Sequence, residues 1–212
     1  MELVVMTLAG QVNKQLVGEI QRNGGRALGI SGLDGGLLRA RRRDAALGRV
    51  GDVYRVTLDP LNTLTAAGYI PVIAPVALGD DGHALNVNAD TAAAEIAAEL
   101  GAAKAIFLTD VPGVLNADKQ LVSELSALEA KDLIAQKVIS GGMIPKVEAC
   151  LRALAGVERS HIIDGRVPHA LIGELFTDRG VGTMITRTVS VRTGEQLQEV
   201  RHGLGDPTLA RA

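Results

Sequence analysis

Asn86-Val87-Asn88-Ala89-Asp90, followed by Thr91-Ala92-Ala93-Ala94-Glu95-Ile96-Ala97-Ala98-Glu99-Leu100, reads as a strand end that turns into a helix. Two amides and one carboxylate crowd the turn. Ala93, Ile96, Ala97 and Leu100 then recur at the i, i+3, i+4, i+7 spacing of a helix with one buried face. Asp90 stands where an N-cap belongs, able to accept an unpaired amide hydrogen of the first turn. A strand-to-helix turn of this kind lies at the carboxyl end of a sheet, which is where open α/β folds bind ligands.

Outward from this stretch, strands and helices alternate. On the amino-terminal side the pattern predicts a helix over 10–22 with Val12, Leu16 and Ile20 on its buried face, closed by Asn23-Gly24-Gly25. A short strand over 26–30 leads into the glycine-rich loop Ser31 to Gly36. Strand-like Leu37-Leu38 and Val53 to Val56 flank a basic run, Arg39 and Arg41 to Arg43, which reads as a solvated hairpin edge. Asp59-Pro60 starts a helix, and Tyr69 to Pro75 is a compact apolar strand. On the carboxyl-terminal side the pattern predicts strands over 104–109 and 160–163, helices over 129–136, from about 143 to 155 and over 169–175, and a last strand after Gly182. The expected fold is α/β, a three-layer αβα sandwich with a mainly parallel sheet. Residues 1–101 are expected to form one lobe, 102–188 a second, and 189–212 a polar tail.

Bulk composition narrows the function. Of 212 residues, 47% are hydrophobic and 22% charged, enough to bury a core. Aromatic residues make up only 2%, without tryptophan, which argues against a base-stacking surface. The net charge of −2 supplies no attraction for nucleic acid. The single cysteine, Cys150, excludes an internal disulfide and a cysteine metal cluster; it shares a helical stripe with Val147, Leu151 and Leu154. His83 has no second histidine or cysteine at ligand spacing. No apolar run is long enough to cross a bilayer and no secretory signal is visible, so the expected compartment is the cytoplasm, without membrane partners.

Three loops carry chemistry: Asn86 to Asp90; Thr109-Asp110-Val111-Pro112-Gly113; and Ser140-Gly141-Gly142-Met143-Ile144-Pro145-Lys146. In the third, glycines precede a helix whose positive dipole end suits phosphate, and Lys146 adds a movable charge. Phosphoryl transfer asks a protein for positioning and charge neutralisation rather than covalent chemistry. No P-loop spacing occurs, and Ser31 to Gly36 lacks the glycine fingerprint of a dinucleotide-binding domain, the distant alternative reading.

These three motifs, in this order and at these spacings, resemble the acetylglutamate kinase family of amino acid kinases. Ala9 to Lys14, Gly29 to Gly35 and Gly68 to Ile73 resemble it as well, so the likeness spans about residues 3–187. The resemblance implies ATP-dependent phosphorylation of the γ-carboxylate of N-acetyl-L-glutamate, the second step of arginine biosynthesis. By that likeness Asn86 would bind the acetylglutamate, Asp90 would hold the catalytic lysines, and Lys146 would neutralise the transferring phosphoryl group. Thr109, Asp110, Val111, Pro112, Gly113, Val114 and Leu115, with Val138, Ile139 and Ser140, would line the ATP site. Mg2+ would sit on the phosphates without dedicated protein ligands. His169, Glu174 and Gly182 fall in a segment similar to that of arginine-inhibited members, which implies an effector role for arginine, and a homo-oligomer is expected. A related branch acts on carrier-linked aminoadipate, but its loop differs from Asn-Val-Asn-Ala-Asp. At the front the sequence departs from the family: the leading strand with its catalytic lysine, the Gly-Gly-Gly loop and the substrate-gripping arginine have no counterpart. Two readings follow, a longer active kinase of which this is a part, or a nucleotide- or arginine-binding remnant without turnover.

Overall fold

The computed structural model describes residues 1–177 and 180–188; the tail 189–212 lies outside the described residues. The chain forms two compact units, Met1–Leu100 and a second beginning at Gly101.

The first unit opens with one continuous helical run: α1 (Glu2–Val5), a π-helical stretch (Met6–Val12) and α2 (Asn13–Arg22). Helix therefore begins well before residue 10, since neither glycine nor proline interrupts Glu2 to Ala9. The wider π turns also rotate the faces. Val12 and Leu16, expected in the core, are 49% and 50% exposed, while Asn13 is buried. The Asn13 side-chain amide donates to the carbonyls of Ile30 (3.2 Å) and Val72 (2.8 Å) and so bridges two strands.

Those strands are β1 (Ala27–Gly32) and β4 (Ile70–Gly79), parallel from Ala27 against Ile70 to Ser31 against Ala74. Between them come β2 (Leu38–Arg42), β3 (Val50–Val56) and α3 (Asp59–Ala66). β5 (Ala84–Val87) and α4 (Ala89–Leu100) complete the unit. The sheet order is β1-β4-β2-β3-β5. The basic run lies on an antiparallel hairpin of β2 with β3, as its composition suggests. Its arginines are answered locally: Arg43 pairs with Asp52, Arg42 donates to the Gly48 and Ala45 carbonyls, and Arg41 lies over the Tyr54 ring. Leu37, Leu38, Leu61, Leu85, Val87 and Ala92 build the core.

The second unit contains β6 (Ala105–Thr109), β7 (Glu124–Ser126), α5 (Ala127–Ala135) and α6 (Met143–Ala153). It continues with β8 (Arg159–Asp164), α7 (Ala170–Phe176) and β9 (Thr183–Thr186). Its sheet order is β6-β8-β9-β7. A capping box fixes the start of α5: the Ser126 hydroxyl accepts from Glu129 N while the Glu129 carboxylate accepts from Ser126 N. Alternation along β8 covers both sheet faces. Ser160 Oγ donates to the Cys150 carbonyl on α6, and the next residue, His161, meets Glu174 on α7. Cys150 is fully buried, a small hydrophobe in the core.

The α/β class holds, and among the described residues five of the eight strand ladders are parallel. The sheets are nonetheless mixed, because β2–β3, β4–β5 and β8–β9 run antiparallel. Strand β7 has no sequence signal: Glu-Leu-Ser is too short and too polar to show alternation, and its pairing with β9 creates it.

Candidate active site

In the first unit, β5 delivers Asn86 and α4 delivers Asp90. Leu85 and Val87 point into the core, so alternation turns Asn86 to the opposite face, where it is half-buried. The helix cap is Asn88, not Asp90. Asn88 Oδ1 accepts from Thr91 N (2.9 Å) and from Thr91 Oγ1 (3.2 Å). Asp90 is the second residue of the helix, an acid in the first turn where the dipole favours it. The apolar stripe shifts with the cap: Ala92 and Ala94 are buried, whereas Ala93 and Leu100 are exposed. With alanine at so many consecutive positions, no single phase of the helix stands out from the sequence.

In the second unit, Thr109 ends β6 and Asp110 begins the loop that follows it. Thr109 Oγ1 donates to Asp110 Oδ1 (3.2 Å), and the Thr109 carbonyl accepts from Gly165 N (2.8 Å) at the end of β8. The loop turns at Gly113, whose φ of 146° and tight surroundings exclude a side chain. Val114 is fully buried; Asp110 and Leu115 are exposed. Pro112 is exposed and Val111 half-buried.

Val138, Ile139 and Ser140 lie between α5 and α6. Ile139 is buried and its amide donates to the Leu133 carbonyl (3.1 Å). Gly141, at φ 58°, turns the chain into α6. The amides of Met143 and Ile144 donate back to Ser140 and Gly141 carbonyls (3.3 Å each), and Pro145 has no N–H. The helix end thus offers an anion fewer amides than Gly-Gly before a helix suggests. Lys146, half-buried at the fourth helical position, is the cation there.

The turn after β8 holds a close ion pair. Asp164 binds Arg166 through both carboxylate oxygens (2.9 and 2.8 Å) and also accepts from its amide (2.9 Å). The Arg166 guanidinium holds the Asp164 carboxyl down to about 2. Asp110 also acts on Arg166, raising it. Asp-Gly-Arg at a strand end was the available signal.

Of the suspected effector residues, His169 is exposed and left-handed at φ 61°. Glu174 is buried, with Oε1 at 2.6 Å from His161 Nδ1 and Oε2 accepting from Val181 N (3.0 Å). Gly182 is packed so closely that a Cβ would lie 2.0 Å from the Ile162 carbonyl oxygen. His161 was not foreseen, because its partner is distant in sequence. With Nδ1 facing Glu174, His161 Nε2 is buried without a partner, so a second ring proton would find no acceptor. Burial pulls His161 below 6.5, against the opposing pull of Glu174. The unfolded chain then takes up a proton that the folded chain refuses. Stability is therefore fully present above 6.5 and falls on acidification through that value. Urea titrations at about pH 7.5 and about pH 5.5 should show the loss, and His161→Gln should flatten the difference.

The amino acid kinase family model matches residues 1–164. An acetylglutamate kinase of Synechococcus sp. (strain RCC307) is 51% identical over 190 residues, covering 87% of this chain and 64% of that protein. One of Pelotomaculum thermopropionicum is 50% identical over 204 residues, covering 88% and 69%. The chain thus spans about two thirds of the length of the curated relatives it matches. Among solved structures, smu.665 of Streptococcus mutans UA159 superposes with a TM-score of 0.76 at 29% identity, covering 89% of this chain and 72% of that one. Sequence identity over most of its length and the shared fold lead to one conclusion: the chain belongs to the amino acid kinase family.

Proposed function

We propose that the protein belongs to an enzyme that transfers the γ-phosphoryl group of ATP to the γ-carboxylate of N-acetyl-L-glutamate, giving the 5-phosphate, as the second step of arginine biosynthesis. The observation that carries this reading is the identity of about half with acetylglutamate kinases over 87% of the chain. The placement of all three motifs at strand ends or helix starts supports it.

In this reading Asn86 orients the substrate and Asp90 positions the lysines. The carboxylate is already a nucleophile at neutral pH, so attack on the phosphoryl group needs no general base. Lys146 meets the charge on the transferring group, and Thr109 to Leu115 with Val138 to Ser140 border the nucleotide. Asp164 is already engaged by Arg166, so the donor set fits Mg2+ carried by the phosphate oxygens and water. When bound there, the metal would supply charge neutralisation. Arginine is proposed as the inhibitor acting at the His169 to Gly182 segment. Exposed Leu3, Met6 and Leu16 on the first helical run support a homo-oligomer. A cytoplasmic location goes with a biosynthetic role; no described helix is long and apolar enough to cross a membrane.

The test is hydroxamate formation, with ATP, Mg2+ and hydroxylamine, by the full-length enzyme that carries the leading strand with its lysine and the Gly-Gly-Gly loop. Turnover is expected with N-acetyl-L-glutamate and not with an aminoadipate substrate. Absence of hydroxamate from N-acetyl-L-glutamate would overturn the proposal.

A further inference from the structure

A line of short contacts inside the second unit runs from α7 to the loop after β6. It starts at Glu174, buried on α7, which His161 of β8 holds through Oε1 at 2.6 Å. The other oxygen, Oε2, takes the amide of Val181 at 3.0 Å and so fixes the turn that leads into β9. Gly182 follows, seated on the Ile162 carbonyl with no room for a side chain. Thr183 comes next and is 1% exposed. Its hydroxyl accepts from Val114 N at 2.8 Å and donates to the Val122 carbonyl at 2.6 Å. Val114 and Val122 are themselves joined, Val122 N donating to the Val114 carbonyl at 2.9 Å. The hydroxyl is also what confines Gly113, where a Cβ would sit 2.6 Å from Thr183 Oγ1.

We propose that Thr183 is a positioning residue for the nucleotide loop, and that Glu174, held by His161, sets Thr183 in place. The conformation of α7 is thereby coupled to the shape of Thr109 to Leu115. This rests on the reading that the loop borders ATP. The physical basis is that Glu174, Gly182, Thr183 and Val114 are buried, so displacing Glu174 or Thr183 leaves a polar group of the chain unpaired in a dry interior. A ligand that drew the Glu174 carboxylate away from Val181 would free the turn, then the Thr183 hydroxyl, then Val114. The arrangement gives the α7 segment a route to the loop that needs no contact between effector and nucleotide.

Two measurements test it on the chain as it stands. Hydrogen exchange at the Val114 amide reads the coupling without nucleotide. Thr183→Val keeps the shape and removes the hydroxyl, and should speed that exchange about tenfold or more, whereas Thr183→Ser should restore protection. Glu174→Gln should speed it by about threefold, although it touches neither Val114 nor Thr183. Calorimetric titration with ATP reads the consequence: Thr183→Val is expected to weaken binding about tenfold and Thr183→Ser by less than about twofold. Unchanged Val114 exchange in Thr183→Val or in Glu174→Gln would overturn the coupling. Faster exchange with unaltered ATP affinity would overturn the positioning role. If the unaltered chain binds no ATP, the nucleotide reading itself fails, and exchange alone decides the coupling.

Discussion

Asparagine in place of Asp90 is expected, in the full-length enzyme, to lower acyl phosphate formation by about a hundredfold or more while leaving the fold intact. The two halves of this expectation have separate origins. The loss of rate follows from the proposed role: a carboxylate that holds lysines in line with the phosphoryl group cannot be replaced by a neutral amide without misplacing them. The survival of the fold follows from the capping geometry. Asn88, not Asp90, accepts the Thr91 amide and hydroxyl, so the cap persists in Asp90→Asn. The interaction of a first-turn acid with the helix dipole, about 0.3–1 kcal/mol, is given up without loss of the cap. Asn88→Ala is the converse, expected to cost about 1 kcal/mol of stability through the cap. Hydroxamate rates and urea midpoints on the two variants check both halves. Retained turnover in Asp90→Asn would remove Asp90 from the site.

Alanine at Gly182 is expected to destabilise the second unit by about 3 kcal/mol or more. The added carbon would lie 2.0 Å from the Ile162 carbonyl oxygen and 3.0 Å from both Ile162 C and Ile163 Cα. All three are backbone atoms of β8, so no side chain can swing aside. Relief requires β9 to move off β8, and the two are paired from Arg159 against Thr186 to Ile162 against Thr183. Gly18 is the contrast: it is helical and nothing lies within 4 Å of its added carbon. Gly18→Ala should stabilise by about 0.5–1 kcal/mol. Denaturant unfolding of the pair gives opposite signs if steric fit, rather than glycine's flexibility, governs Gly182. Equal small effects would refute the steric account.

What could be read in the chain depended on how local its cause was. Strand ends at Val87 and Thr109 and the helix start at Asp59-Pro60 were legible because each depends on neighbours in sequence. The buried face of the first helical run was not, because what seats it is Asn13, a polar residue satisfied by two strands. Counting apolar residues selects Val12 and Leu16 instead. Asp90 was mistaken for a cap because Asn88 has the same capacity, and only the onset of the helix at Ala89 decides between them. The three loops of the candidate site were visible as motifs. Their supports, His161, Thr183 and Arg166, were not, because each is defined by a partner or a packing environment rather than by its own sequence context.

The order of the strands has a consequence for how the chain acquires its structure. In the first unit, β2 with β3 and β4 with β5 are hairpins that can zip from their turns. In the second, Ala105 must find Ser160 and Glu124 must find Met184 before either parallel ladder exists. Closing such long loops ahead of any stabilising contact makes that half the slower to organise. Pulse-labelled exchange during refolding should therefore protect amides of Leu85 to Val87 before those of Ala105 to Thr109. The half that carries the proposed nucleotide loop is thus the last to form and the most exposed to misassembly during synthesis.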